Sequence, residues 1–105
     1  MSIICGVAVM VDELREYPHV RFAVKRWCHM AGDGDFEELH RFAASLGLPR
    51  RAFQGDHYDL PPGLRTQAIA LGAEEVRTAE LILRMAGPRG DRARARRARR
   101  PAGPG

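Results

Sequence analysis

The sequence predicts one small α/β or α+β domain followed by a basic extension, and three observations predict it. A chain of 105 residues has room for a single domain. A continuous apolar run, Ile3 to Val11, suits a strand covered on both faces. Downstream, short apolar stretches alternate with segments of helical period, each closed by glycine or proline. The expected order is strand, strand, helix, short strand, helix, short strand, helix, on a short, mostly parallel or mixed sheet. The domain is read as residues 1–87 and the extension as 88–105.

Each element carries its own signal. The first strand ends at Asp12, which sets an acid just past its carboxyl end. Asp12 to His19 reads as a loop or a short helical turn, with Pro18 as its breaker. Val20, Phe22 and Val24 alternate with Arg21, Ala23 and Lys25, which predicts a half-exposed strand leading into Trp27–Met30. Asp35 predicts a helix N-cap, and Glu38 three residues on completes a capping-box-like pattern. Phe36, Leu39, Ala43 and Leu46 then recur at helical spacing, Gly47 stops the helix, and Glu37 and Arg41 form an i,i+4 pair. His57 to Leu60 predicts a short strand or extended loop. Pro61-Pro62 opens a second helix with Leu64, Ala68 and Leu71 inward and Gly72 at its end. Ala73 to Val76 fits a brief strand. Thr78 caps a third helix, with Leu81, Ile82 and Met85 inward and Gly87-Pro88 as its stop.

Composition is ordinary for a globular chain, 45% hydrophobic and 29% charged, which excludes collagen-like and wholly disordered classes. The net charge of +4 suggests a nucleic-acid binder until it is divided at Pro88. Ten basic and twelve acidic residues precede that point, so the body is −2; seven arginines and Asp91 follow it, so the extension is +6. Like charges three and four apart oppose helix formation, and the extension is expected to be disordered in isolation. Its arginines, Arg89 to Arg100, offer nonspecific nucleic-acid affinity through phosphates, without aromatic residues for base stacking. The apolar run of nine residues is too short to span a bilayer, and no basic n-region precedes it. No membrane partner and a cytoplasmic location are therefore expected, with Cys5 and Cys28 as buried, reduced thiols.

Titratable residues gather in three places: His29 with Asp33; His40; and Gln54-Gly55-Asp56-His57-Tyr58-Asp59 followed by Arg65. Histidine with carboxylate holds a divalent metal or forms an acid/base pair. His57 and Asp59 share one face if their segment is extended. Arg65 presents a fork suited to phosphate or carboxylate. The catalytic candidates are thus His29, His57 and Asp59, and the ligand-binding candidates Asp12, Asp33, Gln54, Tyr58 and Arg65. The plainer alternative makes Asp59 a helix cap, Asp33 a turn former, His40 a satisfied half-buried histidine, and Trp27 and Tyr58 core residues. No paired C-x-x-C, H-E-x-x-H or P-loop pattern occurs, and no Ser/His/Asp order is recognisable.

Two groups of residues carry a resemblance. The first is Trp27-Cys28-His29-Met30, Asp33, Glu38-Leu39-His40-Arg41-Phe42-Ala43 and Leu46-Gly47. The second is Phe53-Gln54-Gly55-Asp56-His57-Tyr58-Asp59-Leu60, Arg65, Ala68 to Ala73, and Val76. Together they resemble domain of unknown function 4031, a family of small bacterial and phage proteins, over about Ile3 to Met85. The resemblance excludes the arginine extension and supplies no activity or cofactor. It implies that His29, Asp33, His40, Gln54, His57, Tyr58, Asp59 and Arg65 occupy the family's motif positions.

Two functional readings follow. In one, Asp12, His29, His57 and Asp59 share a cleft that acts on or binds a phosphate-bearing ligand, with a divalent metal as the cofactor class such a set admits. In the other, the body is a non-catalytic protein- or nucleic-acid-binding module and the arginines add phosphate affinity. The sequence does not decide between enzyme and binding module.

Overall fold

The computed structural model describes residues 8–100; Ile3 to Val7, including Cys5, lie outside the described residues. Strand β1 (Val9–Val11) is followed by β2 (Arg15–Glu16), and both lie antiparallel beside the long strand β3 (Arg26–Gly32). β4 (Tyr58–Leu60) takes the other edge of β3, antiparallel, with His29 opposite Asp59. β5 (Glu74–Glu75) adds to β1 and makes the one parallel pair among the described strands. The domain is therefore α+β with a mixed, mainly antiparallel sheet. Its pairing follows from the short β2–β3 hairpin, which returns the chain antiparallel beside itself.

Alternation along the strands builds two cores. Val9, Val11, Cys28, Met30, Tyr58 and Leu60 face α1 (Phe36–Ser45) and α2 (Pro62–Ala70), which contribute Leu39, Ala43 and Ala68. Met10 and Ala31 face the opposite way, onto Leu81 of α3 (Thr78–Arg84) and Met85 just beyond it. This two-sided burial is why the first strand reads as a continuous apolar run.

The helix ends follow their signals. Asp35 Oδ1 accepts the Glu38 N–H at 3.0 Å, as the cap requires. Glu38 bonds Arg41 rather than reaching back, and Glu37 pairs with Arg50 instead of Arg41. At the C-terminus Gly47 takes φ +80°, and the N–H groups of Gly47 and Leu48 return to Ala44 and Ala43, a Schellman closure.

Three expectations need correction. Val20 to Lys25 is not a strand but the tip of the β2–β3 hairpin, closed by the Tyr17 N–H to Lys25 O bond at 2.7 Å. Pro18 ends β2, so these residues have no neighbouring strand, and Phe22 is 64% exposed. Leu71 is 54% exposed because it sits at the α2 C-cap, where the chain turns away. The N-cap of α3 is Arg77; Thr78 is the first helical residue and its hydroxyl is used elsewhere.

Residues 88–99 of the extension are helical where disorder was expected. Pro88–Arg99 forms a helix, α4, which packs on α3. Packing supplies what the like charges withhold. Gly90 and Ala93 bury one stripe, and Arg94 donates to the carbonyls of Leu83 and Met85 and pairs with Asp91. A Cβ on Gly90 would overlap the Met85 carbonyl oxygen, so only glycine lets the two helices meet this closely. None of the described helices is long and apolar enough to cross a membrane.

Candidate functional site

The site begins where β1 leaves the sheet. Past Val11 the ladder to β3 is continued by Asp12, whose N–H donates to His29 O at 3.2 Å. Its carboxylate replaces the missing strand: Oδ1 accepts the His29 N–H at 2.6 Å. Oδ2 is bonded to His29 Nδ1 at 2.8 Å and accepts the Thr78 hydroxyl at 2.7 Å. Asp12 is wholly buried. Burial pushes its carboxyl pKa up, but the bonds from the His29 ring, the His29 backbone and Thr78 outweigh it, and the net direction is down. An anionic carboxylate only accepts, so His29 Nδ1 carries the proton and Nε2 keeps its lone pair in the neutral ring.

His57 repeats the arrangement from β4. Its Nδ1 bonds Asp56 Oδ1 at 2.7 Å, and its Nε2 lies 3.2 Å from Asp59 Oδ1. The bond to Asp59 raises the His57 pKa against the cost of burial, and Asp56 adds to the rise. Because His29 and Asp59 are register partners, the cross-strand pair brings the two imidazoles to 5.2 Å between ring centres. One nitrogen of each ring and one Asp59 oxygen lie within 4.8 Å of one another.

His29, His57 and Asp59 could hold one ion, each offering one ligand atom, provided their side chains draw together to metal–ligand bonds of about 2.0–2.2 Å. Both histidines have Nδ1 on a carboxylate, the outer-shell pattern that fixes tautomer and ring direction in metal sites. Three protein ligands would leave positions on such an ion open for water or a ligand.

His29, His57 and Asp59 line a cleft of about 620 Å³. Gln54 lines it, with its backbone N–H donating to His57 O at 2.7 Å. Cys28 also lines it as a free, buried thiol; burial first, then the charge of Asp12, pushes its pKa up to about 12. The thiolate nucleophile is thereby disfavoured.

Of the residues expected from sequence, Asp12, His29, His57, Asp59 and Gln54 are brought together. Arg65 reaches the centre from behind: Nε donates to the Asp12 carbonyl at 2.8 Å and a terminal nitrogen to Glu75 at 3.3 Å. Its guanidinium is thus engaged by the protein. Asp33 lies past the end of β3, accepting the Ala8 N–H at 2.8 Å, and does not line the cleft. Tyr58 points into the opposite core, where its hydroxyl meets His40 Nδ1 at 2.7 Å, and His40 is the half-buried, satisfied histidine that its helix position suggested.

Sequence reasoning missed Thr78, Asp56 and Arg89. Thr78 has the sequence signature of a cap; only the packing of α3 shows it bonding Asp12, while Glu13 accepts the Thr78 N–H at 3.0 Å. The adjacency of Asp56 and His57 was the available signal for the second carboxylate. Arg89, from the extension, pairs with Asp56 at 3.3 Å.

Fold and site together define a small α+β domain with a carboxylate-supported two-histidine centre. The chain belongs to the family described as Protein of unknown function (DUF4031), whose model matches residues 9–87. No curated protein and no solved structure matches it. The matched span contains every residue of the centre from Asp12 to Thr78 and ends before α4.

Proposed function

We propose that this protein binds a first-row divalent metal ion through His29, His57 and Asp59 and presents it to a phosphate-bearing ligand. One observation carries the reading: two imidazoles, each braced at Nδ1 by its own carboxylate, converge with Asp59 at a shared point. The nitrogen–oxygen set suits zinc, iron or manganese better than calcium. Bound there, the ion supplies Lewis acidity for a phosphoryl oxygen and an activated water. Asp12, Thr78 and Arg65 act as positioning residues for His29; Asp56 and Arg89 do so for His57.

Thermal unfolding with zinc, manganese, magnesium and calcium tests the reading. An ion at a hundredfold excess over its Kd stabilises by about 2.7 kcal/mol, a Tm rise on the order of 10 °C for a chain of this size. The rise should vanish in His29→Ala and His57→Ala. No stabilisation by any divalent ion would remove the metal.

A second reading is favoured by α4. Among the described residues, Arg92, Arg96, Arg97, Arg99 and Arg100 make no ion pair, and Arg92, Arg96 and Arg99 follow one helix face. Such a row supports nonspecific contact with nucleic-acid phosphates, in a module that need not be catalytic. Its signature is binding that weakens steeply with salt.

A further inference from the structure

We infer that the ligand of the metal centre is a small molecule with one anionic head and a ring-sized apolar body, seated against Trp27; this rests on the metal reading above. The cleft of about 620 Å³ falls in the range of small-molecule sites. Its lining is mainly apolar, with Val20, Phe22, Trp27, Leu48, Ala52 and Leu64, and its polar side chains are Tyr17, His29, Gln54, His57 and Asp59. Val20, Phe22 and Trp27 belong to neither core cluster. They come from the hairpin tip and the start of β3, and they line the cleft without a packing role in either core. The Phe22 and Trp27 rings lie 5.8 Å apart. Trp27 donates its indole N–H to Val24 O at 3.1 Å, so its polar edge is already satisfied within the protein and its ring remains for contact.

Charge sets the head group. Among the described residues no lysine or arginine lines the cleft, and Asp59 is the acid that does. A polyanion finds no cation along these walls, and a single anionic group is welcome only where the ion offsets Asp59. The body is therefore held by apolar contact and the head by the metal. A nucleic-acid backbone, with charge at every residue, fits α4 but not this cleft.

The test uses phenylphosphonate and methylphosphonate, which share a head and differ in body, titrated calorimetrically into the full chain loaded with the divalent ion that stabilises it. Phenylphosphonate is expected to bind at least tenfold more tightly, and neither probe to bind the metal-free chain. The chain has one tryptophan, so quenching or shift of Trp27 emission should accompany phenylphosphonate alone. Trp27→Ala should bring the two affinities within about threefold while leaving metal and methylphosphonate binding unchanged. Phe22→Ala, at an exposed rim position that does not endanger folding, should reduce the ratio severalfold. Equal affinities for the two probes on the metal-loaded chain would overturn the inference with the metal intact, as would equal binding to the metal-free chain. If no ion binds, the metal reading has failed first and this inference falls with it.

Discussion

The two charged regions of this molecule are built on opposite rules. Around His29 and His57 each charged group has a partner: Asp12 has three donors, Asp56 has His57 and Arg89, and Arg65 has Asp12 and Glu75. On α4 most of the arginines point outward without an acid. Paired charges at low solvent exposure hold side chains in one geometry, as a metal or ligand centre demands. Unpaired charges on an exposed helix set long-range attraction without fixing a partner's orientation. The family match covers the first region and stops before the second. They meet at Arg89 and Asp56, so the extension braces the centre as well as carrying charge.

Breaking the paired region should cost most. Asp12→Ala leaves a buried strand N–H and an imidazole N–H without their acceptor, while the Thr78 hydroxyl keeps Glu13 at 2.9 Å, and a loss of about 3–5 kcal/mol is expected in urea unfolding. A loss below about 1 kcal/mol would mean that the carboxylate does not hold this corner together. Next comes the joint between the regions. Gly90→Ala sets a Cβ against the Met85 carbonyl, at a cost of about 1–3 kcal/mol. Hydrogen exchange should show residues 88–99 losing protection while the sheet keeps its own.

Asp12→Asn sharpens the comparison further, because it preserves shape while removing the charge and turning one acceptor into a donor. The Asn Oδ1 can still accept the His29 N–H, but its amide donates toward Nδ1 and drives the ring proton to Nε2. Metal affinity should fall by about 10–100-fold with the fold retained, a change readable by calorimetry and by the imidazole nitrogen shifts in NMR. The smallest effect on stability belongs to the unpaired region. Changing Arg96, Arg97, Arg99 and Arg100 together to Gln should leave stability within about 0.5 kcal/mol. The salt dependence of binding to RNA or DNA should flatten by roughly one unit of log–log slope for each phosphate that the variant no longer neutralises. An unchanged slope would place any nucleic-acid interface elsewhere.

Residues 35–47 were legible because a helix records itself locally, in Asp35, an apolar stripe and Gly47. The hairpin tip reads as a strand because alternation alone cannot supply the neighbouring strand that a strand needs. The helix of the extension was illegible for a related reason: its stability lies in the packing of Gly90 and Ala93 on α3, and local charge argued against it. Among candidate residues, the sequence pointed to His29, His57 and Asp59, since few residue types carry such chemistry and they fall close together. It also pointed to Asp33 and Tyr58, which the β3–β4 register and the alternation of faces send elsewhere.

Taken alone, the sequence determined the class of fold, the boundaries of α1 and the short list of chemically able residues, because these depend on composition and on neighbours a few positions apart. Tertiary structure decided which of them meet. His29 and Asp59 are thirty positions apart and become cross-strand partners only through the register of two antiparallel strands, and Thr78 reaches Asp12 only because α3 packs behind them. Register and packing are set by the burial of whole faces, and no local signal contains them.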